Sequence, residues 1–398
     1  MANSAGLTRR KFVRLAGGGL VLAATAATVG YASMSNDFPA EAVKALQGPS
    51  RETDVRRRAV AYAITAPNPH NLQPRLVDLR EAHAITIRTD KQRVLPETDP
   101  FGRQILIGHG AFLELLVMAL AEQGLASEIT LWPQGETPAQ LKDWDERAVA
   151  KIALKPGAAP DPLFRHILKR HTPKVDFDVA RRVSAQSLLR LLSIRLGPGV
   201  QLAGTVDPQR LAPLRELCRQ SAKVELLNPR TVMESIQLTR VGPTEILKHR
   251  DGISINAPFV RLVDAMGLFD RQNPPANGSP AYNNMLQRFD GHSRSAMGFV
   301  WLSTPGNSRS QQIEAGQAYV LLQLKATELG VGMHPMSQAL QEFAEMQPHY
   351  EQAHQLLLGL NAPKTPQDTT LQMFCRLGYP GAEVAATPRR KLDDFVIA

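Results

Sequence analysis

The chain has 398 residues, 43% of them apolar and 21% charged, with two cysteines and a formal charge of +9. That length and apolar content fit two domains or one large double unit with sizeable cores, and exclude a disordered chain. Residues 1–32 hold Arg9, Arg10, Lys11 and Arg14 and no acid, so they contribute +4 and leave +5 for the remainder. No Lys/Arg run is interleaved with aromatics, so the high pI does not read as a nucleic-acid surface.

In chain order, Thr8-Arg9-Arg10-Lys11-Phe12-Val13-Arg14 resembles the twin-arginine export signal. An apolar stretch, Leu15–Val29, follows, with small residues at Gly30 and Ala32 around a cleavage position. The expectation is a signal peptide over 1–32, a linker over 33–49 and a periplasmic protein; membrane tethering through an uncleaved signal stays open. The twin-arginine route moves folded proteins, often with a cofactor already bound. A helix is expected next. Ser50 or Thr53 can cap it, Val55, Ala59, Tyr62 and Ala66 form its stripe, and Pro67 stops it. Arg56, Arg57 and Arg58 fall on its other side, where they are most simply solvated, though one could meet a phosphate.

The ten residues Ala66–Arg75 contain three prolines, which forbid helix. Between them His70, Asn71 and Gln73 offer ring nitrogens and amides that can donate to and accept from a heterocycle edge; the same stretch also reads as a polar turn. Leu76–Leu79 and Ala84–Arg88 alternate across a short turn and predict a hairpin. Asp99 is placed to cap a long helix from about Arg103 to Gly124, apolar nearly all round and therefore buried. Arg103 fits either an acid partner or a ligand.

Ile107–Gly124 and Ile313–Gly330 match at an offset of 206: Ile107/Ile313, Gly110/Gly316, Leu115/Leu321, Leu116/Leu322, Glu122/Glu328 and Gly124/Gly330 are identical. Two long apolar helices with an inner glycine and a glycine stop predict the packed centre of an intramolecular dimer. The halves are expected at 50–155 and 160–398. Residues 226–295, rich in Asn, Pro, Arg and Gly, read as an insertion and a lid. Cys218 and Cys375 are far apart in sequence and in no CxxC; they read as buried thiols. No His/Cys/Asp cluster has metal-ligand spacing, so no metal is expected.

The Pro-Asn-Pro-His-Asn-Leu-Gln-Pro run resembles the (A)PSxxNxQPW signature of the nitroreductase family, and His before Asn is typical of its tandem single-chain, Acg-like branch. Asn68 stands for the usual Ser and Arg75 for the usual Trp. Arg170-x-Thr172-x-Lys174 resembles the family's RxSxR element, with Lys for the second Arg, a point charge instead of a fork. Gly330–Gln338 resembles the loop along the reactive edge of the flavin, and Arg376-x-Gly378-Tyr379 leading to Arg389-Arg390-Lys391-x-Asp393 resembles the closing basic motif. The resemblance implies an α+β nitroreductase-like fold: two pseudo-equivalent halves, mixed but mainly antiparallel sheets and long central helices, in a monomer. It implies FMN bound by His70, Asn71, Gln73, Arg170, Thr172, Lys174, Met336, Ser337, Gln338, Arg389 and Arg390. The first half lacks an RxSxR copy and the second lacks HNLQP, so one complete site is expected, shared between halves. The implied activity is reduction of a quinone-like or nitroaromatic small-molecule acceptor by a ping-pong flavin cycle, with no catalytic protein nucleophile and an unknown electron donor. NAD(P)H is scarce outside the cytoplasm, so a flavin-binding or flavin-storing protein with little turnover stays open beside the enzyme.

Overall fold

Helix α1 (Val55–Ala63) opens the first half and ends three residues before the sequence stripe does. Its cap is Asp54, whose carboxylate accepts from the Arg56 amide at 2.8 Å, a group the helix itself leaves unpaired. The hairpin forms as β1 (Arg75–Asp78) and β2 (Ala84–Thr89), antiparallel with Val77 opposite Ile87. The Asp99 carboxylate caps α2 (Arg103–Ala121) from a distance, accepting from Gln104 N and Ile105 N at 3.0 Å each, while Gly102 enters the helix at φ 71°. Strands β3 (Leu125–Leu131) and β4 (Ala148–Pro156) extend the sheet antiparallel. The computed structural model describes residues 38–49 and 51–397. The expected signal peptide and Ser50 lie outside the described residues.

The second half carries β5 (Gln201–Thr205) and α3 (Pro208–Leu227), then the expected insertion. That insertion has regular structure: α4 (Pro229–Gln237), β6 (Thr239–Val241), α5 (Gly242–His249), β7 (Ile253–Ile255), α6 (Pro258–Ala265) and α7 (Pro280–Arg294). Strand β8 (Gly298–Thr304), α8 (Arg309–Glu328), β9 (Gly332–Pro335) and β10 (Thr370–Gly378) follow. The second sheet runs β5-β8-β10-β9, all antiparallel. Both β8 and β10 are buried at every residue, β10 carrying Thr370, Gln372 and Arg376 into the interior with its apolar side chains. The last strand, β11 (Val396–Ile397), leaves the second half and pairs parallel with β1, giving a first sheet of order β11-β1-β2-β4-β3.

Helices α2 and α8 pack along each other between the sheets. The contact is reciprocal. A Cβ on Gly110 would fall on the Ile313 carbonyl, and a Cβ on Gly316 would fall on the Ile107 carbonyl. Ile107 in turn joins the second half's core, while Ile313, Val320 and Leu324 join the first half's. Glycine at these two positions lets backbone meet backbone where any side chain would hold the helices apart. Cys218 and Cys375 are buried free thiols, as expected.

Candidate functional site

The Ala66–Arg75 loop carries three left-handed non-glycine residues within four positions: His70 (φ 47°), Asn71 (φ 53°) and Gln73 (φ 56°). Such conformations cost of order 1–3 kcal/mol each, least for Asn, and persist only where surroundings over-determine them. Here they do. Asn68 Oδ1 accepts from Gln73 N at 2.7 Å, His70 Nε2 meets Ser235 Oγ at 2.9 Å, and Gly252 N donates to Asn71 O at 3.3 Å. Ser235 and Gly252 belong to the insertion, so a second-half segment fixes a first-half loop. The Gln73 amide is fully committed: Nε2 donates to the carbonyls of Asn71 and Arg250, and Oε1 accepts from Arg390 N.

Arg75, in place of an apolar ring, turns inward. Its guanidinium donates to the Gly108 and Pro67 carbonyls and lies 5.7 Å from the Phe112 ring centroid. Burial pushes it down to about 9. Gly108 makes room, since a Cβ there would come within 2.7 Å of Arg75 Nη2.

A second set of cations converges on the carbonyl end of α1. Arg170 Nη2 donates to Thr65 O at 2.7 Å and Nη1 to Gln323 Oε1 at 2.8 Å, while its buried Nε has no partner. Arg389 donates to Ile64 O, Thr65 O and Asn71 Oδ1 at 3.1, 3.1 and 2.8 Å. Asn71 Nδ2 returns a bond to Pro388 O at 3.0 Å. Cations at a helix C-terminus meet its unpaired carbonyls and favourable dipole. Burial nevertheless pushes Arg170 down to about 10; burial, then Arg170 and Arg75, push Arg389 down to about 9. Thr172 Oγ1 lies 3.5 Å from Gln323 Nε2.

Lys174 and Arg288 keep accessible side-chain surface, yet protein on most sides desolvates both. Lys174 lies beside the His70 ring, Arg288 and Arg389. Burial, then Arg288 and Arg389, hold the Lys174 ammonium at about 8. Neither Lys174 nor Arg288 has a carboxylate partner among the described residues.

Strand β10 supplies the remaining cation. Arg376 Nε donates to His334 Nδ1 at 3.0 Å, which places the His334 proton on Nε2. Its other nitrogens reach His292 O, Ser295 Oγ and Val175 O at 2.8, 3.0 and 2.6 Å, over the Phe177 ring. The His292 and His334 rings meet edge to face at 5.2 Å, and His292 Nδ1 is buried without a partner. Burial and neighbouring cations hold His70 at about 4, His292 at about 3 and His334 well below the ordinary imidazole value, so all three are neutral at pH 7.

The structure thus brings His70, Asn71, Arg170, Lys174 and Arg389 together, with Thr172 at the edge. Gln73 and Arg390 lie behind them as loop supports. Arg390 is buried against Phe395 and donates to Gln73 O and Asp394 O. Met336, Ser337 and Gln338 lie beyond His334: Met336 N and Ser337 Oγ bond the Phe374 backbone, and Gln338 faces the Glu225 carboxyl. Sequence reasoning missed Arg288 and His292 as site residues. Arg288 and His292 sit at i and i+4 on α7, a pattern indistinguishable from a solvated face. Arg376, read from the sequence as the start of the closing basic motif, stands in β10 against His334. Arg103 pairs with Glu342 at 3.0 Å and donates to the Gln372 carbonyl, the structural reading of the two.

Unpaired, desolvated cations beside neutral N–H donors are an anion receptor: the donor set fits a phosphate monoester, and the free Arg170 Nε and unpaired Lys174 are groups such an anion would satisfy.

No protein-family model matches the chain. It is 38% identical over 93 residues to the Mycobacterium tuberculosis protein named "Putative NAD(P)H nitroreductase acg", a stretch covering 23% of this chain and 28% of that protein. The match thus spans less than a third of that relative's length. A second M. tuberculosis protein of the same designation, Rv3131, is 23% identical over 321 residues, 78% of this chain and 81% of its own. Among solved structures, the FMN-dependent nitroreductase NfnB from Mycobacterium smegmatis in complex with NADPH aligns with TM-score 0.33 and 19% identity, over 58% of this chain and 94% of its own. By sequence, the chain is similar to Acg-like proteins named as nitroreductases, at 38% identity over about a quarter of its length and at 23% over more than three quarters.

Proposed function

We propose that the chain is an FMN-dependent oxidoreductase of nitroreductase type, a tandem Acg-like flavoprotein exported by the twin-arginine route, with its two halves acting as an internal dimer. One observation carries the cofactor reading. Arg170, Lys174, Arg288 and Arg389, drawn from the start, the insertion and the end of the second half, converge on the His70–Asn71 loop of the first half with no carboxylate among the described residues paired to any of them. The motif resemblance supports FMN as the anion.

Bound FMN would supply reversible two-electron transfer. The chain's own part is positioning and electrostatics. Arg170 Nε, Lys174 and Thr172 would hold the phosphate and ribityl oxygens. Lys174 Nζ, held near 8, can carry or release a proton close to neutral pH. His292 Nδ1 is free to meet a polar edge. The insertion, bonded across to His70 and Asn71, would act as a lid that limits water and substrate size. A quinone-like or nitroaromatic acceptor and a reductant would then use one face in turn. The same cross-bonds favour a second reading, a flavin-holding protein with little NAD(P)H turnover.

The test is the visible spectrum of the purified chain, followed by anaerobic NADPH. A flavin band that bleaches is the result expected of the oxidoreductase. A persistent band that only dithionite removes would leave the flavin holder or a different donor, and no band would overturn the cofactor reading. Arg170→Gln should weaken FMN about ten- to a hundredfold, the worth of one charge-assisted pair, and undiminished flavin would remove Arg170 from the site.

A further inference from the structure

Helix α6 and the residues after it expose an apolar face. Phe259, Leu262 and Met266 are 55%, 36% and 62% exposed, and Leu268 is 65% exposed. Steps of three and four put the first three on one side of the helix. With Leu247 of α5 at 40%, five of the ten large exposed apolar side chains among the described residues fall within 247–268. Such a concentration marks a contact face. The face is held from beneath. Arg271 donates to Thr239 O at 2.9 Å and pairs with Glu245 and Asp264, which ties α6 to α5.

Its position says what it meets. The first described turn, Ala40–Val43, packs on α5, and β6, which leads into α5, packs on α6. The chain upstream of residue 38 therefore joins the fold beside this face. That upstream sequence contains the apolar stretch Leu15–Val29 preceded by Arg9, Arg10, Lys11 and Arg14. Cations followed by an apolar stretch are drawn to an anionic lipid surface, and Lys248 adds an exposed cation on the α5 side.

We propose that the α5–α6 face is a lipid-contacting surface that docks the insertion on an anionic bilayer, with Phe259, Leu262, Met266 and Leu268 entering the headgroup boundary. Stable membrane attachment takes two signals, and a single short apolar element gives a marginal one; the upstream segment and this face are the two.

The two native thiols are buried, so a cysteine introduced at the surface can be labelled alone. The experiment places an environment-sensitive fluorophore on full-length Met266→Cys, Leu268→Cys and, as control, Leu360→Cys. It then adds phosphatidylglycerol/phosphatidylethanolamine vesicles, with and without a shallow doxyl-labelled lipid. The expected result is a blue shift and loss of roughly half the emission to the doxyl lipid at 266 and 268, with neither at 360, as for side chains at the headgroup boundary. Three results would overturn the proposal: labels at 266 and 268 that behave like 360 while the protein floats with the vesicles, emission already blue-shifted before vesicles are added, and a full chain that does not bind vesicles. The visible flavin spectrum is read separately, so failure of the docking surface and failure of the cofactor reading are distinct.

Discussion

Lys174 is the residue on which stability and binding pull hardest against each other. Burial removes water from its ammonium, and Arg288 and Arg389 repel it, so it titrates near 8 in the folded chain against 10.5 unfolded. Between those values the unfolded chain binds more protons, so stability rises with pH through that window, and the destabilisation is fully present below pH 8. Lys174→Met should therefore raise the thermal midpoint at pH 7, and the two proteins should converge as pH approaches 10.5. Adding FMN should reverse the order at pH 7, because an anion satisfies the lysine and not the methionine. A variant no more stable than its parent at pH 7 would show that the ammonium is solvated. The residue scale is also where the sequence was most legible for Asn71 and Arg170, since both sit in a patterned motif. It was least legible for Arg288, whose role depends on where α7 lies and not on its neighbours in sequence.

At the scale of elements, two joints decide the architecture. The first is the α2–α8 contact. A methyl group at Gly110 or Gly316 would meet a facing backbone carbonyl that cannot move aside as a side chain could. Gly110→Ala and Gly316→Ala should each cost about 3 kcal/mol. The double variant should cost less than the sum, because the first already parts the helices. Gly197→Ala, with nothing near it, should be neutral; equilibrium denaturation reads all four. The second joint is Glu225 of α3, which accepts from Gln341 Nε2 at 3.1 Å beside Gln338. Burial, with Glu234 adding to it, lifts the carboxyl to about 7 against 4.5 unfolded. The folded chain then binds more protons between pH 4.5 and 7, so stability falls as pH rises through that window. Glu225→Gln should stabilise by about 3 kcal/mol at most above pH 7 and by nothing below pH 4.5, as pH-resolved urea titrations would show. Both long helices and the hairpin could be read from the sequence, because periodicity and glycine placement are local. The two-residue strand β11 could not, since no pattern fits in two residues. Nor could the regular structure of the insertion, whose short helices gain their stability by docking on other elements.

At the scale of the molecule, the chain closes on itself twice at the same place. The insertion leaves the second half and bonds the first through Ser235 to His70, Gly252 to Asn71, and Glu234 to the amides of Glu97 and Thr98 at 2.9 and 3.1 Å. The C-terminal segment then returns through Arg389 and Arg390 to Asn71 and Gln73, and through Arg389 N to Ala42 O at 2.9 Å. The bonds from Ser235, Gly252, Arg389 and Arg390 to His70, Asn71 and Gln73 end on the strained loop itself, so opening them frees the loop to relax. An anion seated among Arg170, Lys174 and Arg389 binds only the closed arrangement and should suppress those openings. Hydrogen exchange at the amides of Gly252 and Arg390 should therefore slow on FMN binding, by up to about a hundredfold at a ligand concentration a hundred times Kd. Amides in the middle of α2, which exchange only by global unfolding, should slow by no more than the global stabilisation allows. If Arg390 slows and Gly252 does not, the C-terminal segment closes the site and the insertion is not its lid. If neither slows while flavin is bound, the cofactor lies elsewhere and the converging cations serve only to join the two halves.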